Sequence, residues 1–204
     1  FLTSNLNCSK MSVVEVGSNL GYFCLSLAHD FSCRAVGFEP IKNYQTAASL
    51  LADICNLKEM CSFWGKSISL DEINQLPKAD LYIELNVLHH AGVVFDKQPI
   101  RQFASWQDYA VARLEAYRSK SQYLFFQTGN TACGETLFPS IDAVSHVSQL
   151  LEKAGWRIKS IGTVDPLASL IYRKHSSSDR DQAKTYRCMR NPDSNLVDYF
   201  VEDI

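Results

Sequence analysis

The chain has 204 residues, 46% of them hydrophobic and 21% charged, and a formal net charge of −2 at pH 7. That length suits one domain with a substantial core, and the near-neutral balance excludes a global attraction to nucleic acid or to an anionic membrane. No apolar run approaches the ~20 residues of a membrane-spanning helix, and no charged-then-apolar signal segment opens the chain.

Strands and helices are predicted to alternate. Residues 12–16 are β-branched and apolar, and Gly17 ends them. Over residues 20–30 the apolar positions Phe23, Cys24, Leu27, Ala28 and Phe31 recur at three and four, a helical period. Residues 34–39 (R-A-V-G-F-E) form a second strand, and Pro40 suits the opening of a helix striped by Tyr44, Ala47, Ala48, Leu51 and Cys55. Residues 60–64 read as a third strand and 81–85 (L-Y-I-E-L) as a fourth. A helix over 103–118 carries Trp106, Tyr109, Ala110, Arg113, Leu114 and Tyr117 on one face, and 123–127 is a fifth strand. Ser140 is the expected N-cap of a helix bearing Ile141, Val144, Val147, Leu151 and Ala154, with Gly155 closing it at C′. Trp106 and Trp156 fit core positions.

Then the rhythm changes. Residues 157–164 and 167–172 are two strands separated only by Asp165-Pro166, which leaves no room for a crossover helix. The expectation is an α/β three-layer sandwich: a seven-stranded, mostly parallel sheet with a C-terminal antiparallel hairpin strand and helices on both faces. Residues 1–174 would form that domain. Residues 175–204 would be a polar linker or tail ending in a short docking segment, and the basic cluster Arg173, Lys174, Lys184, Arg187 and Arg190 reads as solvated surface.

The seven cysteines, Cys8, Cys24, Cys33, Cys55, Cys61, Cys133 and Cys188, are odd in number and form no C-x-x-C pair. Several sit in apolar patterns, where free Cys behaves as a small buried hydrophobe. A reducing, cytoplasmic compartment is expected. Phe1 stands where an initiator methionine is expected, so an excised piece lacking an N-terminal segment is one expectation, and the linker-like tail agrees with a part of a larger multidomain chain.

The informative stretch is Val13-Val14-Glu15-Val16-Gly17-Ser18-Asn19-Leu20-Gly21-Tyr22-Phe23. A strand entering a glycine turn and then a helix sets backbone N–H groups and a positive helix end beside a ligand. A dinucleotide fingerprint would need G-x-G-x-x-G, and the three positions hold Gly17, Asn19 and Tyr22. The bulky Tyr22 is the more damaging departure, so a nicotinamide cofactor is disfavoured. Glu39 lies at the end of the second strand, where a carboxylate can accept hydrogen bonds from a ribose diol or simply favour the dipole of the helix that follows.

The stretch resembles motif I of the class I S-adenosylmethionine (SAM)-dependent methyltransferases, E/D-x-G-x-G-x-G, matched by Glu15, Gly17, Asn19 and Gly21. Asn19 replaces the middle glycine, and Asn tolerates left-handed backbone angles. The resemblance implies that this loop wraps the methionine part of SAM, that Glu15 anchors the loop or reaches the ammonium group, and that Glu39 holds the ribose. Glu39-Pro40 is similar to the FkbM-type branch. Glu84-Leu85-Asn86-Val87-Leu88-His89-His90-Ala91 is similar to the N/S-V-L/F-H-H segment that many small-molecule and sugar methyltransferases carry beside the methyl group. A looser likeness, through V-L-H-H, is to the methyltransferase part of polysaccharide chain-terminating proteins. The N-P-P-Y form used on amines is absent, which tilts the acceptor toward oxygen.

Asn86, His89 and His90 would then face the acceptor. Either histidine could serve as the base, or one could cap the strand end instead. The pair has no neighbouring ligands that complete a metal site, so none is expected. Ser67, after the third strand, lies where adenine would sit, and Gln127-Thr128-Gly129-Asn130 lines the same sheet edge. The implied function is O-methylation of a small molecule or glycan with SAM as cofactor. The alternative is a non-catalytic SAM-binding or interaction module of a larger protein; a nucleotide-binding oxidoreductase is disfavoured by the glycine spacing.

Overall fold

The structure, a computed structural model, describes residues 2–132, 135–138, 143–163 and 197–203. After a short helix α1 (Leu2–Asn5), strand β1 (Ser12–Val16) leads into helix α2 (Tyr22–Phe31), β2 (Arg34–Phe38) into α3 (Lys42–Ile54), and β3 (Cys61–Trp64) into a 3₁₀ segment, Leu70–Gln75. Strand β4 (Ala79–Leu85) is followed by the 3₁₀ turns Leu88–His90 and Pro99–Gln102 and by α4 (Trp106–Arg118). Then come β5 (Ser121–Gln127), a two-stranded ribbon of β6 (Thr131–Ala132) and β7 (Glu135–Thr136), α5 (Ala143–Lys153), β8 (Trp156–Thr163) and β9 (Val197–Asp203).

The first five strands are parallel neighbours, and the main sheet runs β3-β2-β1-β4-β5-β9-β8 with β9 antiparallel to both its partners. Successive residues of a strand point to opposite faces, and here both faces are covered. On β5, Leu124 and Phe126 join the cluster that holds Tyr109, Leu114 and Tyr117 of α4 and Leu150 and Leu151 of α5. Phe125 joins the opposite cluster, with Leu27 and Ala28 of α2 and Ala48 and Ala52 of α3. Burial on both faces is why β1 and β4 read as nearly continuous apolar runs rather than as alternation. Trp156 is 1% exposed, and its indole N–H donates to Leu114 O, while Trp106 packs at the margin of the same core.

The described partner of β8 is β9, a strand in the segment expected to end in a short docking piece; the expected hairpin strand 167–172 lies outside the described residues, as do Ser140, Ile141 and the basic cluster from Arg173 to Arg190. Two expectations need correction. The stripe on α3 is rotated: Ala48 and Ala52 are buried, whereas Tyr44, Leu51 and Cys55 are exposed. Small residues win that face because α3 lies close over Phe63 and Gly21, where larger side chains have no room. Likewise Tyr22 is exposed, and the close approach behind the glycine loop belongs to Gly21, where a Cβ would stand 2.6 Å from Phe63 Cζ. Bulk at Tyr22 is therefore no obstacle to packing, and that argument against a dinucleotide falls. Four of the cysteines, Cys8, Cys24, Cys33 and Cys61, are free and buried, as small hydrophobes are.

Candidate functional site

Gly17, Glu39, Asn86 and Thr128 follow the last residues of β1, β2, β4 and β5, so all four stand at the carboxyl edge of the sheet, the ligand side of open α/β folds. Between β1 and α2 the chain takes left-handed angles three times, at Gly17 (φ 78°), Asn19 (φ 48°) and Gly21 (φ 78°). Gly17 has a second constraint, since a Cβ there would overlap Val87 Cγ2. The loop is tied to β2 from both sides. Gly17 N and Ser18 N donate to Phe38 O at 2.8 and 3.0 Å. Glu39, buried, accepts from Asn19 N at 2.9 Å through Oε2 and from Ile41 N at 2.8 Å through Oε1. Ile41 and Trp64 are exposed, and Trp64 O accepts from Glu39 N. Trp64 opens the segment 64–68 in which the adenine was expected to lie, whereas nothing in the sequence singled out Ile41.

Glu15 is 4% exposed and reaches the first turn of α2, where Oε2 accepts from Cys24 N at 3.3 Å and from Cys24 Sγ at 3.1 Å. It thus anchors the helix end that no side chain at Gly21 can cap. Burial raises its carboxyl from 4.5 to about 7, partly offset by the bonds from Cys24 and helped by the charge of Glu39. Between pH 4.5 and 7 the folded chain therefore holds a proton there that the unfolded chain has released, so this group's contribution to stability falls as pH rises through that window. Replacing Glu15 with Gln should flatten the dependence, shrinking the stability difference between pH 5 and pH 8 by about 1–3 kcal/mol. Denaturant unfolding at pH 5, 6, 7 and 8 checks this, and equal slopes for both proteins would refute it.

After β4, Asn86 takes φ 58°; its backbone N donates to Gln127 O at 2.9 Å and its Nδ2 to Gln127 Oε1 at 2.6 Å. Non-glycine residues held left-handed mark loops that the surroundings over-determine. Next to it His89, partly buried, accepts from Gly129 N at 3.2 Å through Nδ1, and the exposed His90 ring lies against it, tilted by 41° with centroids 3.9 Å apart. Burial, then the neighbouring His90, lowers His89 from 6.5 to about 4. The structure thus brings Asn86, His89 and His90 onto one loop facing the end of β5. Ser67 is exposed beyond β3, and its neighbour Ile68 is buried. Among the described residues no cluster of His, Cys, Asp and Glu is suited to a metal ion.

Behind this loop lies a polar network that periodicity alone concealed, because Arg113 was read as one more position on an apolar stripe. Arg113 and Glu84 are both 0% exposed. Arg113 Nη2 donates to Glu84 Oε2 at 2.9 Å, its Nε to the same carboxylate at 3.2 Å, and its Nη1 to Ile68 O at 3.1 Å. The Tyr117 hydroxyl donates to Glu84 as well. On the other side Asp96, 7% exposed and with φ 52°, accepts from Tyr109 Oη at 2.6 Å and from Leu70 N at 2.8 Å, 3.8 Å from Arg113 Nη1. One guanidinium on α4 therefore holds together the segment after β3, the end of β4 and the far end of the histidine loop.

No family model and no curated protein sequence matches the chain. Solved structures do. The bifunctional kinase-methyltransferase WbdD superposes with a TM-score of 0.59 at 17% identity over 95% of this chain and 34% of its own. The mitomycin 7-O-methyltransferase MmcR gives 0.58 at 14% identity over 100% of this chain and 52% of its own. The geranyl diphosphate C-methyltransferase of Streptomyces coelicolor, crystallised with S-adenosyl-L-homocysteine, gives 0.63 at 11% identity over 100% of this chain and 78% of its own. The chain spans about a third of the length of WbdD. Its fold is that of the class I SAM-dependent methyltransferases.

Proposed function

We propose that the chain binds SAM at the carboxyl edge of its sheet and methylates an oxygen of a small molecule or glycan. The observation that carries this is the left-handed loop Gly17–Gly21, fastened to β2 by Glu39 and to α2 by Glu15. The residues fit the cofactor. Each Glu39 oxygen accepts one bond from its own loop, and a carboxylate has about four acceptor positions, which leaves room for a ribose diol. Ile41, whose N–H that carboxylate accepts, and Trp64, whose carbonyl accepts from Glu39 N, are exposed apolar side chains against which a base could pack. Ser67 would lie near the adenine. SAM, when bound, supplies an electrophilic methyl group.

The chain's part is alignment, together with proton removal where the nucleophile is a hydroxyl. Asn86, fixed by Gln127, and the two histidines beside it would face the acceptor. A cytoplasmic setting agrees with four buried free thiols, and no described helix is long and apolar enough to cross a membrane.

Calorimetry with SAM and S-adenosylhomocysteine, with NADH as control, tests the reading, followed by labelled SAM with a panel of hydroxyl acceptors. Binding of both adenosyl ligands with a raised melting temperature is expected. Tight NADH binding without SAM binding would sink the proposal. SAM binding with no transfer to any acceptor would favour a non-catalytic SAM-binding module, for which the partial coverage of WbdD leaves room.

A further inference from the structure

The two histidines after β4 are adjacent in sequence and their rings lie against each other, yet their hydrogen bonding makes them chemically different. The bond from Gly129 N ends on His89 Nδ1 at 3.2 Å. A peptide N–H can only donate, so Nδ1 carries the lone pair and the ring's single proton lies on Nε2. The ring cannot easily turn over. A Cβ on Gly129 would sit 3.3 Å from its Cγ, Cδ2 and Cε1, so the ring lies directly on the backbone beyond β5, and His90 covers it with centroids 3.9 Å apart. Partial burial and the neighbouring imidazole also keep the ring uncharged, with its pKa lowered to about 4. Its basic nitrogen is already used.

We infer that His89 is a fixed Nε2–H donor that binds an oxygen of the methyl acceptor, and that of the two histidines it is not the base, a role left to His90. This rests on the methyltransferase reading for its purpose but not for its geometry. It narrows the acceptor to an oxygen, of a hydroxyl or an oxyanion, because a neutral amine has a single lone pair, which the new bond to the methyl carbon uses, whereas oxygen keeps another to accept from Nε2–H. For a hydroxyl, the oxygen forms the new O–CH₃ bond as the C–S bond breaks. Its electron pair stays on sulfur, giving the thioether, and the hydroxyl proton passes to His90. For an oxyanion no base is needed. In both cases His89 keeps its own proton throughout.

The test is long-range ¹H–¹⁵N NMR of the imidazoles in the whole chain at pH 7. His89 is expected as the neutral Nε2–H tautomer. Sodium acetate, as an oxyanion probe, should shift the His89 Nε2 signal, whereas methylammonium chloride should not. His89→Asn places a carbonyl near the position of Nδ1, so it should keep the bond from Gly129 and the melting temperature while abolishing the acetate response of the loop. His89→Ala should lose both. An Nδ1–H or doubly protonated His89, or equal responses to acetate and methylammonium, would overturn the inference. S-adenosylhomocysteine calorimetry on the same sample judges the methyltransferase reading separately. A chain with the Nε2–H tautomer and acetate response that binds no S-adenosylhomocysteine refutes that reading and leaves the assignment of His89 standing.

Discussion

Replacing Arg113 with methionine should lower the unfolding free energy by about 3–5 kcal/mol, the cost of stripping one partner from a buried ion pair. Methionine fills much of the same volume, so the loss is electrostatic rather than a cavity. It leaves Glu84, fully buried, without its guanidinium, takes the Arg113 donor from Ile68 O, and removes the cation 3.8 Å from the buried Asp96. A domain of this size has only ~5–15 kcal/mol of stability, so the variant should be strongly destabilised or unfold at moderate temperature. The double variant Arg113→Met, Glu84→Leu removes both charges and should recover part of the loss, because an apolar pair of similar size needs no compensation. Thermal and urea unfolding of the two single variants and the double variant form the cycle. Strict additivity, or an Arg113→Met protein as stable as the parent, would show that the network contributes nothing through charge pairing. Lysine at 113 should rescue little, since a point charge cannot reach Glu84 and Ile68 O at once as a planar fork does.

That network marks where sequence reading stops. The alternation of strand and helix, the glycine loop and the placement of Glu39 and the histidines at strand ends were legible, because each follows from local rules: period, turn chemistry and the order of elements. Arg113 was visible as a residue on the buried stripe of α4, but its partners lie 29 positions back at Glu84 and 17 back at Asp96, and no spacing rule joins them. The rotation of α3 escaped for a related reason. Alanine and leucine score alike in an apolar stripe, and only the closeness of Gly21 and Phe63 decides that Ala48 and Ala52 face inward. The docking segment near the end of the chain was legible as a short element, but not its place beside β8, because no spacing rule names the neighbour of so distant a strand. At the site, both histidines looked equally fit as bases. The distinction came from a main-chain N–H beyond another strand, 40 residues away.

Replacing Glu39 with alanine should weaken SAM binding by about 1–3 kcal/mol, roughly five- to 150-fold, and should also lower stability by about 2–4 kcal/mol. Two effects are expected because the carboxylate has two jobs. Its oxygens satisfy the N–H groups of Asn19 and Ile41, which are left without that partner once the side chain is gone. Asn19 is held at φ 48°, so releasing its N–H lets the loop relax toward ordinary angles and away from the shape that would bind the cofactor. Glutamine separates the two jobs. It has one carbonyl oxygen in place of two carboxylate oxygens, so it can keep one of the internal bonds but must turn an amide N–H toward the other donor. Glu39→Gln should therefore lose less stability than Glu39→Ala but nearly as much SAM affinity, since the acceptor capacity left for a ribose diol is what the amide removes. The measurement pairs calorimetric SAM affinity with thermal melts of both variants. Loss of stability with affinity unchanged would restrict Glu39 to a loop brace. Unchanged behaviour in both would remove it from the site altogether. Loss of affinity in the glutamine variant, well beyond its loss of stability, is the result that the carboxylate's unused acceptor positions predict.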